Sequence, residues 1–196
     1  MAKLPTEIAA FIDEKKCEVN VVIETPQGSR VKYAWDPEHE IFLHRRLLPL
    51  GMLFPYDFGF VPSTTAEDGD PIDILVLLDE PLAVGTLVQA RLIGVIEAEQ
   101  TEPAEGRKPG KKNPKMQTRR NDRLLAVGKL SKDYAGIDDP RTMRPDTLQQ
   151  IEAFFQQYNR LDGKKFKPIG VRGPKHAVKL VKMAIERKRQ GGKQAA

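Results

Sequence analysis

The sequence predicts a mainly β fold with flanking helices, of the α+β class: a small antiparallel barrel with helices packed against it. Three observations predict it. Short strand-like runs follow one another at close spacing between Glu18 and Val127. Helical spacing of apolar residues is concentrated after Arg144. No internal repeat divides the chain, and 196 residues suit one domain with a real core, so residues 1–196 are read as a single domain. Strands first and helices last segregate the two element types, which favours helices laid against a sheet or barrel.

Taken in order, Thr6 caps a first short helix with Ile8, Ala9, Phe11 and Ile12 inward. From Glu18 the period changes to two: Val19, Val21 and Ile23 alternate with polar residues up to Glu24, which predicts a strand. Pro26-Gln27-Gly28-Ser29 reads as a turn, and Arg30 to Trp35 as the second arm of a hairpin. Asp36-Pro37 turns the chain again, and Ile41-Phe42-Leu43 leads into His44-Arg45-Arg46. Residues 53–61 are aromatic-rich and mixed with Pro and Gly. Ile74 to Leu78 is a continuous apolar run, Leu87 to Glu97 a long β-rich stretch, and Leu124 to Val127 another short strand. Residues 100–121 read as a long polar loop inserted between strands. Arg144-Pro145-Asp146-Thr147 starts a helix on which Leu148, Ile151, Phe154, Phe155 and Tyr158 share a face, and Gly163 ends it. A second helix runs from about Pro174 to Arg189, with Val178, Val181, Ala184 and Ile185 inward, and residues 190–196 read as a frayed tail.

The totals exclude several classes. The apolar runs are too short to cross a bilayer, and the N-terminus has no apolar signal region. The single cysteine, Cys17, excludes an internal disulfide and points to a reducing compartment. Cys17 is read as a small hydrophobe at the start of a strand rather than a nucleophile. The net charge is +5, yet residues 106–120 (GRKPGKKNPKMQTRR) alone hold seven Lys/Arg and no acid. The rest of the chain carries 25 basic and 27 acidic residues, so the basicity is local. His39, His44 and His176 are too scattered for a zinc motif, and no Gly-x-Ser-x-Gly elbow, P-loop or dinucleotide fingerprint is present.

The informative stretch is Asp68-Gly69-Asp70-Pro71-Ile72-Asp73, which runs directly into the apolar strand at Ile74. Carboxylates repel one another, so three at the mouth of a buried strand point to a bound cation. Gly69 permits a turn between the first two Asp, and Pro71 delays the start of the strand. Asp68 and Asp70, two apart, would face the same way if extended. Oxygen ligands suit a hard divalent ion such as Mg²⁺ and its phosphate chemistry. The bland alternative is an Asp-rich turn, since Asp, Gly and Pro all form turns.

Asp68 to Val76 closely resembles the signature of the family I soluble inorganic pyrophosphatases. Val21-Val22-Ile23-Glu24-Thr25-Pro26 resembles that family's first core strand, and Lys32-Tyr33 its second. Phe54-Pro55 and Phe58-Gly59-Phe60, Lys129 to Tyr134 (KLSKDY), and Phe154 to Tyr158 (FFQQY) resemble further family motifs in the same order. The resemblance covers most of the chain. It implies a five-stranded OB-like β-barrel with flanking helices, hydrolysis of pyrophosphate by a water held between two Mg²⁺ ions, and a cytoplasmic homo-oligomer, a hexamer. It implies Asp68 and Asp73 as metal ligands, Asp73 bridging, with Asp70 beside the metals as the base for the water. It implies Lys32 and Arg46 as catalytic and phosphate-holding cations, Tyr158 and Arg123 as further substrate-binding residues, and Glu24 as an acid lining the site.

The sequence also departs from the family. Ala34 stands where Glu is usual and Phe58 where Tyr is usual. Gln100 and Asn121 stand where the family has Asp, Arg123 and Asn159 where it has Lys. Losing two carboxylates implies weaker metal binding, and Asp122 would face away from the site unless its strand is bulged. Two alternatives follow: hydrolysis of another phosphoanhydride, or a silent polyanion-binding protein using the 106–120 segment and the basic residues of the last helix (Lys175, Lys179, Lys182, Arg187, Lys188, Arg189). Neither basic segment interleaves aromatics, which disfavours nucleic acid.

Overall fold

The computed structural model describes residues 4–103 and 116–194, with side chains as far as Gly191. Its centre is a ring of five strands. These are β2 (Glu18–Thr25), β5 (Asp57–Phe60), β6 (Asp73–Leu77), β9 (Arg123–Gly128) and β7 (Leu87–Pro103). Each pairs with the next, and β7 returns to pair with β2, closing the ring. All of these pairings are antiparallel except β6 with β9. The expected barrel is therefore present. Three strands extend it: β1 (Phe11–Asp13) on β2, and both β8 (Met116–Arg120) and β10 (Lys165–Arg172) on the far half of β7.

Successive residues of the ring strands point to opposite faces, and both faces are covered. Ile74, Val76, Leu124 and Ala126 join Ala177, Val181 and Ala184 of helix α2 (Pro174–Gln194) in one apolar cluster. Leu75, Leu77, Leu125 and Val127 join Ile151 and Phe155 of helix α1 (Pro145–Arg160) in another. Burial on both faces explains why β6 reads as a continuous apolar run instead of an alternation. Helix α2 is tied to the N-terminal segment by Lys182 to Glu14 at 2.8 Å and by Lys188 donating to the Thr6 carbonyl at 3.1 Å.

The structure corrects the sequence reading in six places. Residues 5–7 form only a 3₁₀ turn, and the segment expected to continue as a helix becomes strand β1. Its extended backbone is held by Asn20 donating to the Ala9 carbonyl (2.8 Å) and Ser63 donating to the Ile8 carbonyl (2.8 Å). Cys17 does not begin the strand but turns the chain before it, with φ 59°. The second arm of the hairpin is displaced: β3 (Val31–Asp36) pairs with β4 (Ile41–Leu47) in a separate two-stranded sheet, because both edges of β2 are already taken. The ends of the expected loop are strand, since β7 runs on to Pro103 against β8, while residues 104–115, and with them most of the basic run, lie outside the described residues. Lys165–Arg172, unassigned in sequence, form the edge strand β10, where Pro168 is tolerated because an edge strand leaves one side of its backbone unpaired. Helix α2 also continues through the expected tail to Gln194.

Gly59 marks the tightest point of the ring. A Cβ there would lie 2.0 Å from the Val22 carbonyl oxygen on β2. Gly59→Ala is expected to lower stability by about 3 kcal/mol through overpacking, read as a fall in the urea midpoint at unchanged m.

Candidate active site

One end of the barrel opens into a cleft of about 1180 Å³ between the β3–β4 sheet, the Asp loop, α1 and the outer half of β7. Asp68, Asp70, Asp73, Lys32, Arg46, Tyr158, Arg123 and Glu24, the residues singled out in the sequence, all line it. So do Ala34, Phe58, Gln100, Asn121 and Asn159, the positions of departure.

The Asp loop is a turn, not an extended strand. Gly69 has φ 97°, the Asp70 amide donates to Asp68 Oδ1 at 3.3 Å, and the Ala66 amide donates to the Asp70 carbonyl at 2.7 Å. Thr64 Oγ1 accepts from the Ile72 amide at 3.1 Å and fixes the exit into β6, whose first residue is Asp73. Burial raises the Asp68 carboxyl to about 6, with help from the Asp73 and Asp70 charges. Asp70 sits at the exposed mouth, yet the protein around its carboxyl raises it too, and Asp73 adds to this. Arg45, Lys164 and Lys32 pull Asp70 the other way. The loop is therefore short of positive charge.

The basic residues are each held. Lys32 and Arg46 are directly opposite partners on β3 and β4, which brings together two side chains 14 positions apart. Lys32 Nζ is 2.8 Å from Glu24 and 4.2 Å from the Phe58 ring centroid. The other Glu24 oxygen accepts from the Trp35 amide at 2.9 Å, so Glu24 is a buried bracket between β2 and β3. Arg46 lies over the Tyr158 ring at 4.5 Å, donates to the Tyr158 carbonyl at 3.2 Å and pairs with Asp162. Lys164 and Glu102 pair at 2.6 Å. Arg123 is buried, 2.7 Å from Asp73, with its guanidinium 5.0 Å and 5.5 Å from the Phe155 and Phe166 ring centroids.

The departures are built in rather than left loose. Asn121 Nδ2 donates to Gln100 Oε1 at 2.9 Å, and Gln100 Nε2 donates to Glu102 at 3.1 Å. Asn159 donates to the Phe155 carbonyl of its own helix at 2.8 Å. Asp122 does not line the cleft: it accepts from the Ala98 amide at 3.0 Å and pairs with Arg120 at 2.8 Å. Glu102, Asp162 and Lys164 were not singled out in sequence. Glu102 shares a strand face with Gln100, so the period of two is the signal that finds it once the segment is known to be a strand. Nothing local marks Asp162.

A divalent cation is tested by this donor set. Asp68 and Asp70, close together and water-accessible, suit a hard ion that keeps waters of its own. Asp73 is already engaged by Arg123, and among the described residues no group of three or more His, Cys, Asp or Glu stands close enough to hold a metal by itself. The fit is to two carboxylates, with the third contested.

The Asp68 carboxyl gives a stability prediction. Its folded-state value lies above its unfolded one, so its favourable contribution is full below about pH 4 and is lost as pH rises through about 6. In the presence of a chelator, Asp68→Asn is expected to raise stability at pH 7 by on the order of 2 kcal/mol and to change nothing below pH 4. Urea titrations at both pH values measure it.

The inorganic pyrophosphatase family model matches residues 21–189. The inorganic pyrophosphatase of Saccharolobus solfataricus is 35% identical over 177 residues, covering 89% of this chain and 94% of the relative. That of Aeropyrum pernix is 36% identical over 179 residues, covering 89% and 92%. The crystal structure of the Thermus thermophilus inorganic pyrophosphatase superposes with a TM-score of 0.79 at 31% identity, covering 96% of this chain and 99% of that one. With the ring of strands, the signature loop and the cleft all in place, the chain belongs to the inorganic pyrophosphatase family.

Proposed function

We propose that this protein hydrolyses inorganic pyrophosphate to two phosphates, with Mg²⁺ as its cation. The observation that carries the reading is the arrangement of one cleft, with carboxylates on one wall and Lys32, Arg46 and Arg123 on the walls facing or flanking them. A bound divalent cation would supply Lewis acidity, lowering the pKa of water and offsetting phosphate charge. Asp68 and Asp70 would hold it, while Asp73 stays engaged by Arg123.

In this reading the chain's own groups position and neutralise. Lys32 and Arg46, held opposite each other, take phosphate oxygens on both sides of the scissile bridge. Glu24 acts through Lys32 by fixing its ammonium, while Tyr158 floors Arg46 and Arg123 adds positive charge from below. Asp70 takes the proton of the attacking water, and its raised proton affinity suits that task near neutral pH. The water oxygen bonds one phosphorus, the bridging P–O bond breaks, and the second phosphate departs with the bridging oxygen.

The remaining parts of the reading have their own support. A single domain over residues 1–196 agrees with strands from both halves of the chain meeting in one ring. A homo-oligomer, a hexamer, is the assembly that the family resemblance implies. A cytoplasmic location agrees with the lone Cys17, and among the described residues no helix is long and apolar enough to cross a membrane. Nucleic-acid binding is disfavoured, because Lys182, Arg187 and Lys188 of α2 are engaged with Glu14, the Thr65 carbonyl and the Thr6 carbonyl.

The test is phosphate release from pyrophosphate in excess Mg²⁺. Wild type is expected to turn over, and Asp70→Asn to lose about 10²–10⁴-fold in kcat with an unchanged circular dichroism spectrum. Equal turnover in the two proteins would refute the role given to Asp70. No release from either would refute the activity.

A further inference from the structure

The wall beneath the Asp loop carries a continuous polar chain. It runs from Lys164 to Glu102 (2.6 Å), Glu102 to Gln100 (3.1 Å), Gln100 to Asn121 (2.9 Å), Asn121 Oδ1 to Arg123, and Arg123 to Asp73 (2.7 Å). Its middle members, Gln100 and Asn121, are amides and bring no charge. The positive charge it sets directly against a carboxylate of the Asp loop is the Arg123 guanidinium, at Asp73, while Lys164 at its far end acts on Asp70 through space.

That guanidinium is unusually confined. It has phenyl rings of Phe155 and Phe166 within cation–π range and also donates to the Asp122 carbonyl at 3.1 Å. Its side chain is 5% exposed, so the charge is held out of water beside Asp73. A planar, permanently charged group pinned this way is a fixed counter-ion. Asp73 is the carboxylate it neutralises, which leaves only Asp68 and Asp70 without a dedicated cation.

We infer that Arg123 serves as a tethered cation that occupies, at Asp73, a place otherwise open to a divalent ion, so that this site works with one metal ion fewer than its carboxylates would hold. The amides Gln100 and Asn121 are the positioning residues. Being neutral, they aim the guanidinium at Asp73 without competing for it, whereas a carboxylate at either position would draw it away. The inference deepens the functional reading above and rests on it for the existence of a cation at Asp68 and Asp70.

The experiment counts ions without turnover. Mn²⁺ alone is titrated into the full-length protein by calorimetry, with free Mn²⁺ followed in parallel by electron paramagnetic resonance and no pyrophosphate present. Arg123→Met keeps bulk between the two rings and removes the charge; Arg123→Gln does so with an amide, in case the first variant does not fold; Arg123→Lys keeps the charge. The expected result is one more Mn²⁺ per chain in the folded neutral variants than in wild type, with Arg123→Lys retaining the wild-type number. Equal stoichiometry and affinity in all four proteins overturns the inference while leaving the pyrophosphatase reading intact. No Mn²⁺ bound by any of them overturns both.

Discussion

The structure depends on the length of β7. Over 17 residues it pairs in turn with β2, β9, β10 and β8, and its return to β2 turns an open sheet into a ring. A strand that long must bend to serve both a barrel and an outer sheet. It does so at the irregularity between Leu92 and Gly94. Gly94 is required there, because a Cβ would meet the Arg172 carbonyl oxygen at 2.3 Å. β7 stays paired with β9 as far as Ile96, and beyond that residue it leaves the ring and becomes a wall of the cleft, carrying Gln100 and Glu102. The site is thus an extension of the barrel's own hydrogen bonding, which gives its polar residues a rigid base.

Four ion pairs are built into the cleft: Lys32 with Glu24, Arg46 with Asp162, Lys164 with Glu102, Arg123 with Asp73. Each pair spans two elements and holds a long side chain in one geometry before any ligand arrives. This is preorganisation, since the ordering cost is met during folding and not during binding. It also means that an incoming polyanion competes with carboxylates already in place. The ligand must therefore carry high charge density, and a cation at Asp68 and Asp70 helps it by drawing phosphate oxygens to the opposite wall.

Much of this was legible in the sequence, and the reasons for the rest are physical. The Asp68–Asp73 loop reads directly because its chemistry is local: turn formers, carboxylates, then a buried strand. The ring strands read well because both faces are apolar. The pairing of Lys32 with Arg46 was not readable, because it depends on β3 finding β4 instead of β2, and that is settled by which edges are vacant. Phe11 and Ile12 have helical spacing but lie beside Val19, and sheet pairing outweighs local propensity. Strand β10 contains Lys at alternate positions and a Pro, so only its neighbour Ala98 and the burial of Phe166 reveal it. Asp162 follows a helix end like many surface acids, and only the fold brings Arg46 to it.

The placement of α2 has a consequence for the nascent chain. Ala177, Val181 and Ala184 cover a cluster whose other members stretch from Ala10 to Ala126. During synthesis every ring strand leaves the ribosome before the helix that shields them, and the ties from Lys182 and Lys188 to the N-terminal segment form last of all. For that interval the barrel shows an apolar face to its surroundings, and folding ends with a contact spanning nearly the whole sequence.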